Sequence, residues 1–173
     1  VSPSAPYTSE LTDQWDYECE LTATCKRRLT QFSYDVYGNP TLVKGYGDYD
    51  VTGDEVTAEN LFYPNTTAYI VNKPGTNNTY AGIGTGGALK RRTQHLYDGA
   101  ASSTTPPTTG KETKTRDWAS HDGGAYYETT RTFDAAGNVT AVTTPTGTAA
   151  APQTAATTTT YDADMLFPTQ TCN

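Results

Sequence analysis

Long apolar runs, positive charge and the residues of metal or redox chemistry are all scarce in this 173-residue chain. No stretch approaches the ~18 consecutive apolar residues that a membrane helix needs. The N-terminal Val1-Ser2-Pro3-Ser4-Ala5-Pro6 lacks the basic and apolar regions of a signal peptide. Lys and Arg number 12 against 19 Asp and Glu, a net charge of −7. That is the wrong sign for a surface that neutralises phosphates or docks on anionic lipid, so nucleic acid is not an expected partner. Met occurs once and good helix formers are thin, which excludes an all-α fold.

Thr fills the gap, at roughly a fifth of the chain, with 13 Tyr and 15 Gly. Disordered chains are poor in aromatics and highly charged, whereas here aromatics make up 11% and charged residues 18%. β-branched and aromatic residues suit a pleated surface, so the expected fold is all-β. With no initiator Met, and with Thr171-Cys172-Asn173 closely following a strand-like run, both ends read as cut from a longer protein.

Cys19, Cys25 and Cys172 allow at most one internal disulfide. If residues 19 to 25 formed one extended strand, the first two would lie about 20 Å apart, far beyond a bridge. Pairing them requires a turn, and Glu20-Leu21-Thr22-Ala23-Thr24 contains no Gly, Pro, Asn or Asp to make one. Free thiols are therefore expected ahead of a disulfide, and no CxxC or clustered His suggests zinc.

The informative signal is repetition. Arg27-Arg28-Leu29-Thr30-Gln31-Phe32-Ser33-Tyr34-Asp35 aligns without gaps on Lys90-Arg91-Arg92-Thr93-Gln94-His95-Leu96-Tyr97-Asp98. Weaker copies end at Phe133-Asp134 and Tyr161-Asp162. Each has Thr four positions before the aromatic (Thr30, Thr93, Thr129, Thr157), on the same face of an extended strand. Asp35, Asp50 and Asp134 are each followed three residues later by a glycine, Gly38, Gly53 and Gly137. An Asp side chain can accept the next backbone N–H groups while Gly takes a positive φ, so the pattern spells a hairpin turn.

A strand, Tyr-Asp, two variable residues, Gly and a second strand resembles the YD repeat of the Rhs family, shared by bacterial Rhs toxins, the B and C components of Tc toxins, and teneurins. Most of residues 27 to 171 take part, though Asn or Asp follows the Gly where the family commonly has Arg, and the spacing is irregular. The resemblance implies antiparallel hairpins in a curved, shell-like sheet. It makes residues 1–173 a single β-rich segment of a larger exported protein, secreted or cell-surface, with flexible loops near 100–110 and 144–152. The implied partners are flanking YD repeats and an enclosed toxin domain, with no enzymatic role and no cofactor. The repeat anchors are Tyr34, Asp35, Gly38, Tyr97, Asp98, Phe133, Asp134, Gly137, Tyr161 and Asp162.

Other motifs have bland readings beside the sharp ones. Asp48, Asp50, Thr52, Asp54 and Glu59, with Gly53, match positions of an EF-hand calcium loop, but flanking helices are not expected and an acidic hairpin loop fits the same residues. Gly82, Gly84 and Gly87 form GxGxxG ahead of a strand rather than a helix, which reads as a Gly-rich loop. Ser120-His121-Asp122 cannot form a triad from consecutive positions. Among the carboxylates, Glu112, Asp117, Asp122 and Glu128 show no catalytic pairing in sequence. The basic pairs Arg27-Arg28 and Lys90-Arg91 are expected to make cross-strand ion pairs. Asn65, Asn77 and Asn138 sit in glycosylation sequons. The rival function is an extracellular carbohydrate-binding or adhesion module that stacks sugars on exposed Tyr and on Trp15 or Trp118.

Overall fold

Segments rich in β-branched, aromatic and polar residues form eleven strands in the computed structural model, which describes residues 9–20, 24–118, 125–146 and 153–173. They are β1 (Asp13–Glu18), β2 (Lys26–Tyr34), β3 (Pro40–Gly45), β4 (Val56–Phe62), β5 (Pro74–Ala81), β6 (Leu89–Tyr97), β7 (Glu112–Trp118), β8 (Tyr126–Phe133), β9 (Val139–Pro145), β10 (Thr154–Tyr161) and β11 (Pro168–Cys172). The strands join in sequence order into one antiparallel, unclosed sheet. No helix among the described residues is long and apolar enough to cross a membrane. The chain divides into two units, Val1–Asn60 with Asn78–Lys90, and Leu61–Asn77 with Arg91–Asn173.

In the first unit, β1 pairs with β2 from Asp13↔Gln31 to Glu18↔Lys26. Leu29, opposite Trp15, is buried. The segment after β3 folds back along β2, where Tyr46 N–H donates to the Leu29 carbonyl and Tyr49 N–H to that of Arg27. Trp15 meets Tyr49 edge-on at 4.8 Å, and the Arg27 guanidinium lies over the Tyr49 ring at 5.3 Å. Further along, Thr57 is fully buried and its hydroxyl bridges the Gly-rich turn, donating to the Gly82 carbonyl and accepting from Gly84 N–H, both at 2.8 Å. Gly82 and Gly84 have φ of 78° and 88°. Residues 82–87 are thus a turn between two strands.

The second unit buries Leu96 and Tyr97. Asn77, His95, Glu112 and Arg131, one from each of β5 to β8, form a polar chain. His95 Nε2 meets the Asn77 side-chain oxygen at 2.6 Å, His95 Nδ1 meets Glu112 at 2.5 Å, and Arg131 donates to Glu112 at 3.0 Å. The hydrogen bond from His95 outweighs burial, which pushes the Glu112 carboxyl up, and holds it below its ordinary value.

The expectation of free thiols at Cys19 and Cys25 is corrected, because the two form a disulfide. The two cysteines do not share one strand, since β1 stops at Glu18 and β2 starts at Lys26. Continuing their register one step past Glu18↔Lys26 sets Cys19 opposite Cys25, with Cα atoms 4.2 Å apart. That is close to the spacing of a non-hydrogen-bonded antiparallel pair. Pairing of the flanking strands brings the two cysteines together, with no Gly or Pro in the sequence between them to announce it. Cys172 is free and exposed. Thiol titration of the native chain should find one reactive thiol, rising to three after reduction. Breaking the short Cys19–Cys25 loop should cost about 2 kcal/mol by the loop-entropy relation, read as a lower denaturant midpoint.

Candidate functional site

The four aromatic-Asp sequences close four hairpins, and each does so with the same set of bonds. In every one the Asp N–H donates to a carbonyl across the turn: Asp35 to Asn39, Asp98 to Lys111, Asp134 to Asn138 and Asp162 to Phe167, at 2.8 to 3.0 Å. The carboxylate then turns back over the loop. Asp35 accepts from Tyr37 N–H, Asn39 N–H and the Asn39 amide, all at 2.9 Å. Asp134 accepts from Gly137 N–H, Asn138 N–H and the Asn138 amide, at 2.8 to 2.9 Å. Asp162 accepts from Leu166 and Phe167 N–H. Gly38 and Gly137 carry φ of 80° and 97°, the conformation their turns demand.

Asp98 does the most. Its loop runs to Lys111, and its carboxylate accepts from the N–H groups of Thr108, Thr109, Gly110 and Lys111 and from the Thr108 and Thr109 hydroxyls. Desolvation pushes this carboxyl up, but the bonds from Thr109, Thr108 and Gly110 outweigh it and hold it far below the ordinary carboxylate range. Asp98 itself sits at φ 55°, an uncommon place for a residue with a Cβ. The Pro- and Thr-rich connection 100–110 is mostly exposed, yet it is tied down at two further points. Ser103 is buried against Thr76, and Pro107 accepts from the Asn65 amide at 2.9 Å. A Cβ on Gly75 would come within 2.1 Å of the Ser103 carbonyl oxygen, so that close approach requires glycine. In the second connection, residues 147–152 lie outside the described residues.

The tyrosines bind in the other direction. Tyr34, Tyr97 and Tyr161 donate to the carbonyls of Leu11, Pro74 and Val139, at 2.9, 3.0 and 3.2 Å. Each acceptor lies at or just before the start of the preceding strand. Burial, with Glu112 nearby, raises the Tyr97 phenol to about 12. Phe133 has no hydroxyl, and Lys111 Nζ stands over its ring at 5.7 Å.

A third element was invisible in the repeat pattern. All four hairpins have a register shift immediately before the aromatic. The extra residue on the returning strand is a threonine each time: Thr41, Thr113, Thr140 and Thr169. The hydroxyls of Thr41, Thr113 and Thr169 donate to the carbonyls of Ser33, Leu96 and Thr160, at 3.1 to 3.2 Å. Thr140 instead meets the Thr132 hydroxyl at 2.9 Å. A bulge leaves one residue outside the ladder, and here its side chain supplies the missing anchorage.

Asp50 does not follow this plan, although Gly53 has the positive φ of 105° that its motif predicts. The Asp50 carboxylate pairs with the Arg27 guanidinium, and Asp48 and Asp54 accept the loop N–H groups of Asp50 and Asp48. The same arrangement disperses the calcium-like set. Asp50 is taken by Arg27, Glu59 lies in β4 accepting from Asn78 and Tyr80, and Thr52 adds no carboxylate. No group of three or more His, Cys, Asp or Glu among the described residues could hold a metal.

Most of the remaining basic and acidic candidates settle into pairs. Arg28 meets Glu18, Arg91 meets Asp117 at 3.8 Å, and Lys114 and Arg116 both meet Glu128. The sequon amides of Asn65 and Asn138 are spent on Pro107 and on Asp134 with Met165, and Asn77 faces His95. Ser120, His121 and Asp122 lie outside the described residues.

Replacing Asp98 with Asn swaps an acceptor for a donor opposite four backbone N–H groups. It should destabilise the second unit by about 2–3 kcal/mol, measured by denaturant unfolding. Because the folded carboxyl lies below its unfolded value near ~4, its contribution is complete above that pH and fades as pH falls further. Asp98→Asn should therefore flatten the acid limb of the stability–pH curve between about pH 4 and pH 2. Gly137→Ala should cost about 1 kcal/mol or more through its positive φ.

No known protein family, no curated protein and no solved structure matches this chain.

Proposed function

We propose that the chain is a non-enzymatic structural segment of a YD-repeat wall, a curved sheet that encloses a toxin or effector polypeptide as part of a larger exported protein. The observation that carries this reading is the four-fold recurrence of one bonding plan at Tyr34-Asp35, Tyr97-Asp98, Phe133-Asp134 and Tyr161-Asp162. Each aspartate closes its own turn, and three of the four aromatics reach back to the preceding strand. Such a unit binds three consecutive strands together, as a wall needs and a single catalytic centre does not. Side chains that titrate or hydrogen-bond are spent on holding strands to one another, as at His95, Glu112 and Arg131. The Cys19–Cys25 disulfide suits an oxidising compartment.

A second reading has its own support at Trp15, Tyr17 and Tyr49. Trp15 and Tyr17 stack at 6.4 Å and 26° along the edge strand β1 and remain 40% and 63% exposed. Exposed flat rings of this kind offer a face on which a sugar could stack. Trp118, in β7 opposite Tyr126, is half-buried and offers less.

Reading the source gene on either side of Val1 and Asn173 tests the first proposal. Further aromatic-Asp-x-x-Gly hairpins are the expected result, and flanks without them would overturn it. For the second, glycan binding that Trp15→Ala abolishes would bring the sugar-binding module forward, whereas no glycan binding at millimolar concentration would dismiss it.

A further inference from the structure

Among the described residues, β11 ends the sheet with no strand on its outer side. All five of its residues are exposed. Inside the second unit, the pairing of β9 with β10 shows how one such edge is closed. Val139 faces Phe133 across one turn and accepts the hydroxyl of Tyr161, the aromatic of the following repeat. At this repeat the residue opposite one aromatic is thus the acceptor for the next. Pro168 faces Tyr161 as Val139 faces Phe133, each two residues from a partner pairing displaced by the threonine bulge. Pro168 therefore holds in β11 the place that Val139 holds in β9. Pro74, which likewise opens its strand, accepts from Tyr97.

Two properties of this edge bear on what would cover it. Leu166 and Phe167, just before Pro168, are 69% and 68% exposed, apolar surface beside an unpaired strand. β11 carries no charge, whereas β1 at the other edge presents Asp13, Asp16 and Glu18 among six exposed residues. Inward and edge charges are a common guard against strand addition, and β11 lacks that guard.

We propose that the outer edge of β11 docks an antiparallel strand ending in Tyr-Asp, whose tyrosine hydroxyl donates to the Pro168 carbonyl while its backbone pairs along Thr169 to Cys172. This names the partner of the repeat wall and rests on that reading of the chain. Recognition is by strand addition: the ladder supplies affinity for any extended segment, and the hydroxyl selects a tyrosine at one position.

A synthetic peptide of residues 154–162, Thr-Ala-Ala-Thr-Thr-Thr-Thr-Tyr-Asp, provides the test, with a Tyr161→Phe peptide beside it. Both are titrated into the intact chain at up to millimolar concentration, and amide hydrogen exchange is followed by NMR. Slowed exchange in Thr169–Cys172, with Asp13–Glu18 unchanged, is expected. The tyrosine peptide should bind roughly 2- to 10-fold more tightly than the phenylalanine one, the effect of one net hydrogen bond. No protection at β11, protection at β1 instead, or equal binding of the two peptides would overturn the proposal. If the peptide fails while the source gene holds further Tyr-Asp hairpins, the wall reading survives and the docking edge does not. If the peptide docks but the gene lacks such hairpins, the reverse holds.

Discussion

An ionised carboxylate folded back over its own turn is the interaction on which the rest of this protein depends. A hairpin turn exposes backbone N–H groups that the ladder cannot use, and a charged acceptor among them satisfies several at once. At Asp35 and Asp134 the carboxylate meets two N–H groups and one amide within four residues. At Asp98 it organises a loop of more than ten residues. The same chemistry serves both lengths because a carboxylate accepts wherever donors converge. The strands need only deliver the chain to the correct place.

The aromatic, the aspartate and the bulge threonine divide the work by direction. The tyrosine hydroxyl faces the strand before, the carboxylate faces the turn after, and the threonine hydroxyl repairs the step where the register slips. This arrangement substitutes for a conventional core. Leu29, Leu96, Tyr97 and Pro107 are among the few buried apolar residues of those described, while Thr57, Thr76, Asn78 and Ser103 are buried polar groups. Each of these four is hydrogen-bonded, which removes the penalty that an unpaired buried polar group would carry.

Much of this plan was legible in residues 27 to 171. The repeat of Thr four residues before an aromatic-Asp pair and the Asp-x-x-Gly spacing located the strands that end there and the turns at Gly38 and Gly137, because those are local effects of φ and of short side chains. What escaped depends on partners distant in sequence. Asp50 has the same neighbours as Asp35, but Arg27 lies 23 residues away and claims its carboxylate. Cys19 and Cys25 are brought together by the register of β1 on β2. The bulge threonines carried no signal because a chain so rich in Thr has one near every position. With the turns known, a Thr at the start of each returning strand would have been the clue.

A sheet held by polar contacts has a particular relation to heat. The heat-capacity change of unfolding comes from apolar surface newly exposed to water, offset by the opposite contribution of polar surface. With so few apolar side chains withdrawn from solvent and so many hydroxyls, amides and carboxylates engaged, that difference is small. Its free-energy curve against temperature is correspondingly less curved, so cooling does little to loosen the clasped turns.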